Sequence, residues 1–137
     1  MLNVIMQRCS FPCEPEFGVP ILDKSFCPTY LPDPFLAWGT KTSSVQQTWH
    51  FYLDDHKFNA LWKGESANRL PKTGCTAVCE PNFTIYDDMS KAAALWQIYR
   101  KRLLARFWQS QGVYVFADLY VNDPFQDLNL LGIPNGY

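Results

Sequence analysis

Three groups of residues in this chain have the types and spacing to do chemistry. The first is acidic. Asp54, Asp55, Glu80 and Asp118, together with Asn82, each follow a stretch that reads as a strand, and His50 and His56 flank the Asp54–Asp55 pair. Carboxylates gathered beyond strand ends suit Mg²⁺, which takes oxygen ligands, keeps several waters and serves phosphoryl transfer or nuclease chemistry. Either histidine would add a general base or a ligand. The plainer reading is that such acids are helix N-caps and loop residues, and that a histidine inside an apolar strand is a hydrogen-bonded core side chain. The second group is basic. Lys91, Arg100, Lys101, Arg102 and Arg106 lie in a stretch without a single acid between Met89 and Ala117. On a helix, Lys91, Arg102 and Arg106 fall within about 60° of one another, an edge that could meet the phosphates of nucleic acid or another anion. The plainer alternative is a solvated face whose arginines pair with Asp54, Asp55 or Asp87.

The third group is the cysteines Cys9, Cys13, Cys27, Cys75 and Cys79. An odd number in a chain without a secretory leader argues against a disulfide framework. In a strand, Cys75 and Cys79 would stand about 13 Å apart, too far to share one ion that needs sulfurs at about 2.3 Å. Cys9, Cys13 and Cys27 sit in loop-like sequence and could fold around a metal. The C-x₃-C-x₂-C iron–sulfur spacing is broken by Glu16, however, so zinc and iron–sulfur cofactors are both disfavoured. Other familiar signatures are missing. There is no P-loop, Rossmann glycine fingerprint, Gly-x-Ser-x-Gly elbow or His-Glu-x-x-His. Leu70-Pro71-Lys72-Thr73-Gly74 resembles a sorting signal but lacks the apolar segment that must follow it, and Asn82-Phe83-Thr84 is a glycosylation sequon without a secretory route.

The elements that must position these groups follow from composition and periodicity. The 137 residues are 47% hydrophobic, 16% aromatic and 18% charged, enough to bury a core in a single domain, 1–137, and far from disordered or fibrous compositions. A net charge of −1 excludes a protein that holds nucleic acid or membrane by bulk charge. No apolar run reaches the roughly 18 residues of a membrane span and the start lacks a signal-peptide pattern, so the expectation is a cytoplasmic protein without a membrane partner. Residues 1–40 read as a wrapping arm. Pro12, Pro15, Pro20, Pro28, Pro32 and Pro34 forbid helix there, while Phe11, Phe17, Phe26, Tyr30, Phe35 and Trp38 would anchor it.

Residues 41–121 read as the α/β core. Strands are expected at Thr48–Leu53, Cys75–Cys79 and Val113–Ala117, with a short helix over His56–Lys63 before Gly64. A long helix is expected over 91–110, with Ser90 as N-cap and Gly112 past its end. Its core stripe would be Ala92, Leu95, Trp96, Tyr99, Leu103 and Phe107. Alternating strands and helices imply a small three-layer unit around a mostly parallel sheet of about three to four strands with right-handed crossovers. The core would comprise Phe51, Leu53, Val78, Leu95, Tyr99, Leu103, Val113, Val115 and Phe116. Residues 122–137 read as a loop-like tail, with Phe125, Leu128 and Leu130 facing outward.

Four blocks carry a resemblance. Trp49-His50-Phe51-Tyr52-Leu53-Asp54-Asp55-His56-Lys57-Phe58, Glu80-Pro81-Asn82-Phe83-Thr84-Ile85-Tyr86-Asp87-Asp88-Met89, the basic helix through Trp108, and Leu130-Leu131-Gly132-Ile133-Pro134-Asn135-Gly136 together resemble the domain-of-unknown-function 4417 family (DUF4417) over about residues 19–137. That family occurs in bacteria, their phages and mobile elements, and its members tend to be longer. The family usually has Pro-Asp-Phe-Ser where this chain has Pro81-Asn82-Phe83-Thr84, and a proline where Ala117 stands, so one carboxylate is lost here. The resemblance implies a phage- or plasmid-type setting rather than an activity. Three functions stay open: nucleic-acid contact through the basic helix, an Mg-dependent phosphoryl-transfer or nuclease enzyme using the strand-end acids, and a non-enzymatic module that docks a protein partner through its aromatic arm or tail.

Overall fold

The computed structural model of the protein describes residues 10–31, 34–42 and 46–137. Four short strands, β1 (Phe35–Ala37), β2 (Thr48–His50), β3 (Ala77–Cys79) and β4 (Tyr114–Phe116), form one parallel sheet in the order β1-β2-β3-β4. The long helix α1 (Lys91–Ser110) connects β3 to β4, and a short helix α2 (Gln126–Asn129) lies in the tail. This is the expected α/β layout. β1 lies inside what reads from sequence as the arm, where its flanking prolines and three-residue length hide it.

Leu36, Trp49, Val78 and Val115 stand side by side across the sheet and face one core with Leu103, Leu104, Phe107 and Trp108 of α1. Each large apolar side chain buried there contributes about 1.5–3 kcal/mol. α1 forms where the sequence places it. The Ser90 hydroxyl accepts from the Ala93 N–H at 3.2 Å, the interior has no Gly or Pro, and Gly112 takes the left-handed turn (φ +89°) that carries the chain into β4. Its buried face differs from the expected stripe. Ala92 and Trp96 are exposed and Leu95 and Tyr99 half-buried, whereas Ala94, Ile98, Lys101, Arg102, Leu104, Ala105, Trp108 and Gln109 are buried. Apolar periodicity mislocates the face because two cations lie on it, carried inward by acids waiting at the strand ends.

The connection from β2 to β3 also departs from expectation. In place of a helix over 56–63 it runs through four 3₁₀ turns, Asp55–Lys57, Asn59–Trp62, Ser66–Arg69 and Pro71–Thr73. They bury Phe58, Leu61, Ala67 and Leu70, anchored by the Trp108 indole donating to the Ala67 carbonyl at 2.9 Å. Phe51 is fully buried although the strand ends at His50, while Leu53 and Phe116 of the expected core are only half-buried.

The tail is packed rather than loop-like. A 3₁₀ turn at Asp123–Phe125 and α2 bury Phe125 and Asn129, correcting the expectation that Phe125 faces outward. The tail also meets the arm backbone to backbone. Leu22 N–H donates to the Gly132 carbonyl at 2.9 Å, and a Cβ at Gly132 (φ +81°) would come within 2.2 Å of the Pro20 carbonyl oxygen. Gln109 of α1 bridges both segments, accepting from Asp23 N–H at 2.8 Å and donating to Asp23 O and to the Tyr137 hydroxyl. Tyr137 in turn donates to Val115 O at 2.6 Å beside the edge strand β4.

Candidate functional site

Parallel strands deliver their C-terminal ends to one edge of the sheet, where open α/β folds usually bind ligands. Here that edge receives Glu80 after β3 and Asp118 after β4, both buried, while α1 swings Lys101 and Arg102 over them. Arg102 and Glu80 form a forked pair. Nε donates to Oε2 at 2.8 Å and Nη2 to Oε1 at 3.1 Å, with both side chains fully buried. Glu80 Oε1 also accepts the Asp118 N–H at 2.9 Å, which locks the two strand ends together.

The other guanidinium nitrogen of Arg102 donates to the carbonyls of Asn129, at 2.9 Å, and Leu131, fastening the tail. Lys101 Nζ donates to Asp118 O at 2.8 Å and lies 3.4 Å from its Oδ2, and Asn129 Nδ2 donates to that same carbonyl at 3.1 Å. Two cations and two anions are thus enclosed together. Burial lowers the Lys101 ammonium's pKa against the pull of Glu80 and Asp118, and burial raises the Asp118 carboxyl's pKa against the pull of Lys101.

This arrangement redistributes every residue group singled out from sequence. Arg102 and Lys101 pair with Glu80 and Asp118, not with Asp54, Asp55 or Asp87, and neither is presented to solvent. The reason is electrostatic: a buried charge persists only with an opposite charge and hydrogen bonds, and these four supply both for one another. Of the remaining basic side chains, Lys91 is exposed. Arg100 lies 3.9 Å over the Phe83 ring and donates to Gln97, and Arg106 lies 4.7 Å over Phe11. The five cations therefore do not form one exposed stripe.

Of the four candidate acids only Glu80 and Asp118 meet, and both are already paired with cations. Asp55 accepts from the Thr84 N–H at 3.0 Å and hydroxyl at 2.8 Å, holding the loop after β3, whereas Asp54 and His56 are exposed and Asn82 is half-buried. Among the described residues no three His, Cys, Asp or Glu side chains come together in a way that could hold a metal ion. Cys9 lies outside the described residues. Cys13 is exposed and Cys27 half-buried, and Cys75 and Cys79 are buried free thiols. Burial beside Asp118 and Glu80 pushes the Cys79 thiol up to about 12, an unreactive state for a nucleophile.

The sheet face turned away from α1 carries a feature that sequence reading missed. The Phe35 and His50 rings meet at 4.8 Å and those of His50 and Tyr52 at 5.6 Å, while the Phe26 ring of the arm meets Tyr114 at 5.2 Å. Phe35, Tyr52 and Tyr114 remain 40%, 53% and 39% exposed. His50 Nδ1 accepts the Tyr52 N–H at 3.3 Å, and burial lowers its pKa. Burial, with Cys79, Asp118 and Glu80 nearby, raises the Tyr52 phenol to about 12. The signal that could have revealed the strip is the out-of-phase series Phe35, His50, Tyr52, aromatic at positions that alternate with the core-facing Leu36, Trp49 and Phe51.

Comparison with known proteins matches residues 11–137 to the family described as Domain of unknown function (DUF4417). Among curated proteins the chain is similar to the Gene 1 protein of Mycobacterium phage D29, 32% identical over 142 residues, and to that of Mycobacterium phage L5, 31% identical over 144 residues. Each match takes in 98% of this chain but only 51% and 60% of the respective relative, so the chain spans little more than half their length. No solved structure matches it. No helix among the described residues is long and apolar enough to cross a membrane.

Proposed function

The chain belongs to the DUF4417 family and has phage relatives, and from that premise we propose that it is a non-enzymatic interaction module of a mobile-element protein, with its aromatic sheet face as the contact surface. The observation that carries this reading is the pair of rings Phe35 and Tyr52, 40% and 53% exposed, that flank the half-buried His50 on the outer face at the β1–β2 edge. Parallel sheets normally have both faces covered, and contiguous exposed rings mark contact surfaces. The partner of this reading is a polypeptide segment of the sort the longer relatives carry beyond the matched stretch. Aromatic rings suit it because they supply large contact area at small entropic cost.

Contact with nucleic acid through the helix would rest on Lys91, Arg100 and Arg106 alone, and two of these already lie over aromatic rings. An Mg-dependent reaction would have to recruit Glu80 and Asp118 away from Arg102 and Lys101. Neither reading has an observation in its favour to match the aromatic strip.

The test is co-expression of this chain with the segment of the L5 relative outside the match. Copurification that Tyr52→Arg abolishes, with an unchanged melting curve, is the expected result. Absence of any complex, combined with low-salt DNA binding that weakens in Arg106→Gln and Lys91→Gln, would replace this proposal with the nucleic-acid one.

A further inference from the structure

A partly enclosed cavity of about 340 Å³ lies between the arm turn Lys24–Phe26, with the chain that follows it, and the N-terminal ends of β3 and β4. This is within the roughly 300–1,000 Å³ range of small-molecule sites. It is on the sheet face opposite α1, because Ala77 and Tyr114 alternate with the core-facing Val78 and Val115. Ala77 is fully buried beneath the cavity. The Tyr114 ring forms one wall, braced from behind by Phe26 at 5.2 Å.

Among the described residues the lining has a single ammonium, that of Lys24, and no carboxylate, beside hydroxyl-bearing Ser25, Thr29, Tyr30, Thr76 and Tyr114. The neighbouring acid, Asp23, is engaged by the Ser25 N–H at 2.9 Å and the Ser25 hydroxyl at 2.6 Å. The tail passes against the ammonium: a Cβ at Gly136 (φ +78°) would lie 3.2 Å from Lys24 Nζ, so a glycine there leaves the cation its place. The opposite, C-terminal end of the sheet, where ligands usually bind, is filled by the Glu80–Arg102 and Asp118–Lys101 pairs.

We propose that this cavity binds a small planar organic anion, a ring bearing one carboxylate or phosphate, with the ring against Tyr114 and the anion on Lys24. A cation beside hydroxyl donors, with no competing acid among the described lining residues, selects negative charge, and the aromatic wall selects a flat ring. A nucleoside monophosphate and an aromatic carboxylate share this chemistry.

Calorimetric titration of the whole chain with adenosine monophosphate, benzoate and inorganic phosphate tests the proposal and separates these sources. Saturable binding of one or both ring-bearing anions, tighter than that of phosphate, is expected. Lys24→Gln should weaken it about tenfold, as loss of a charge-assisted contact does. Tyr114→Ala, which removes the ring wall, should weaken it as well, and a thermal melt establishes that this variant is folded. Lys24→Gln lies at the surface and keeps the test decisive if Tyr114→Ala unfolds. No saturation by any of the three at several millimolar, phosphate binding as tight as the ring-bearing anions, or binding indifferent to Lys24→Gln would overturn it.

Discussion

The C-terminal end of the sheet and its outer face use opposite chemistry. At the strand ends, charged residues are buried, paired and hydrogen-bonded to backbone, and none of Glu80, Lys101, Arg102 and Asp118 is more than 2% exposed. On the outer face, aromatic residues stand half in solvent with rings as their neighbours. At the strand ends charge therefore acts as internal fastening, whereas Asp54, Lys57, Lys63, Asp87 and Lys91 keep theirs in solvent and the outer face adds partly exposed rings. A residue's type does not reveal its role: the cations that look suited to phosphate hold a tail, and the rings that look suited to a core are available for contact.

This contrast is broken most severely at Arg102. Arg102→Met leaves the Glu80 carboxylate buried without its partner and releases the carbonyls of Asn129 and Leu131. The expected loss is about 3–5 kcal/mol, a large part of a small domain's stability, read from urea denaturation. The double variant Arg102→Met/Glu80→Leu should recover much of that loss, since removing both charges also removes the desolvation penalty. A comparable loss is expected for Val115→Asp, which places an unpaired carboxylate between α1 and β4 and should leave no cooperative melt.

A smaller effect lies in the pH dependence of the Lys101–Asp118 pair. The native state holds the Asp118 proton more tightly than the unfolded chain, whose value is near 3.8. The group therefore subtracts stability as pH rises from 3.8 through its raised native value, and below 3.8 its contribution is absent. Lys101 has the opposite slope: its native value lies below 10.5, so its share of stability increases as pH rises towards 10.5. Asp118→Asn should remove the acid-side slope without abolishing folding. Denaturation at several pH values above 3.8, comparing the two proteins, reads the difference.

The smallest stability effect belongs to the outer face. Tyr52→Arg should change stability by within about 0.5 kcal/mol, because more than half of its side chain is in solvent. Phe35→Ser should change it by about 1–2 kcal/mol, because the covered part of that ring packs on His50. A large destabilisation in either would mean that the strip belongs to the fold and would remove the contrast. Thiol reactivity sharpens the same division: iodoacetamide at about pH 8 should modify the exposed Cys13 well before the buried Cys79, and mass spectrometry of the peptides resolves the order.

Much of the architecture was readable because its causes are local. Ser90, the unbroken run to Ser110 and Gly112 define the long helix by capping and propensity alone. Short apolar runs place β2, β3 and β4 to within a few residues. β1 and the 3₁₀ chain between β2 and β3 escaped because three-residue strands and single turns leave no period to detect. The acids of the candidate site were correctly placed at strand ends, and the helix cations correctly placed on α1. Their meeting was not legible, since Glu80 and Arg102 are 22 residues apart and Lys101 and Asp118 are 17 apart. Two acids closing adjacent parallel strands, opposite two adjacent cations on the helix between them, was the available clue.

By itself, then, the sequence determined the α/β class, the long helix with its ends, and the residues rich enough in charge or ring to matter, because capping, propensity and alternation act between near neighbours. Tertiary structure alone decided which of those charges would be neutralised and which rings left uncovered. Burial is a property of the packed whole: the tail through Asn129 and Leu131 closes over Arg102, nothing among the described residues closes over Phe35 and Tyr52, and no stretch of sequence contains both facts.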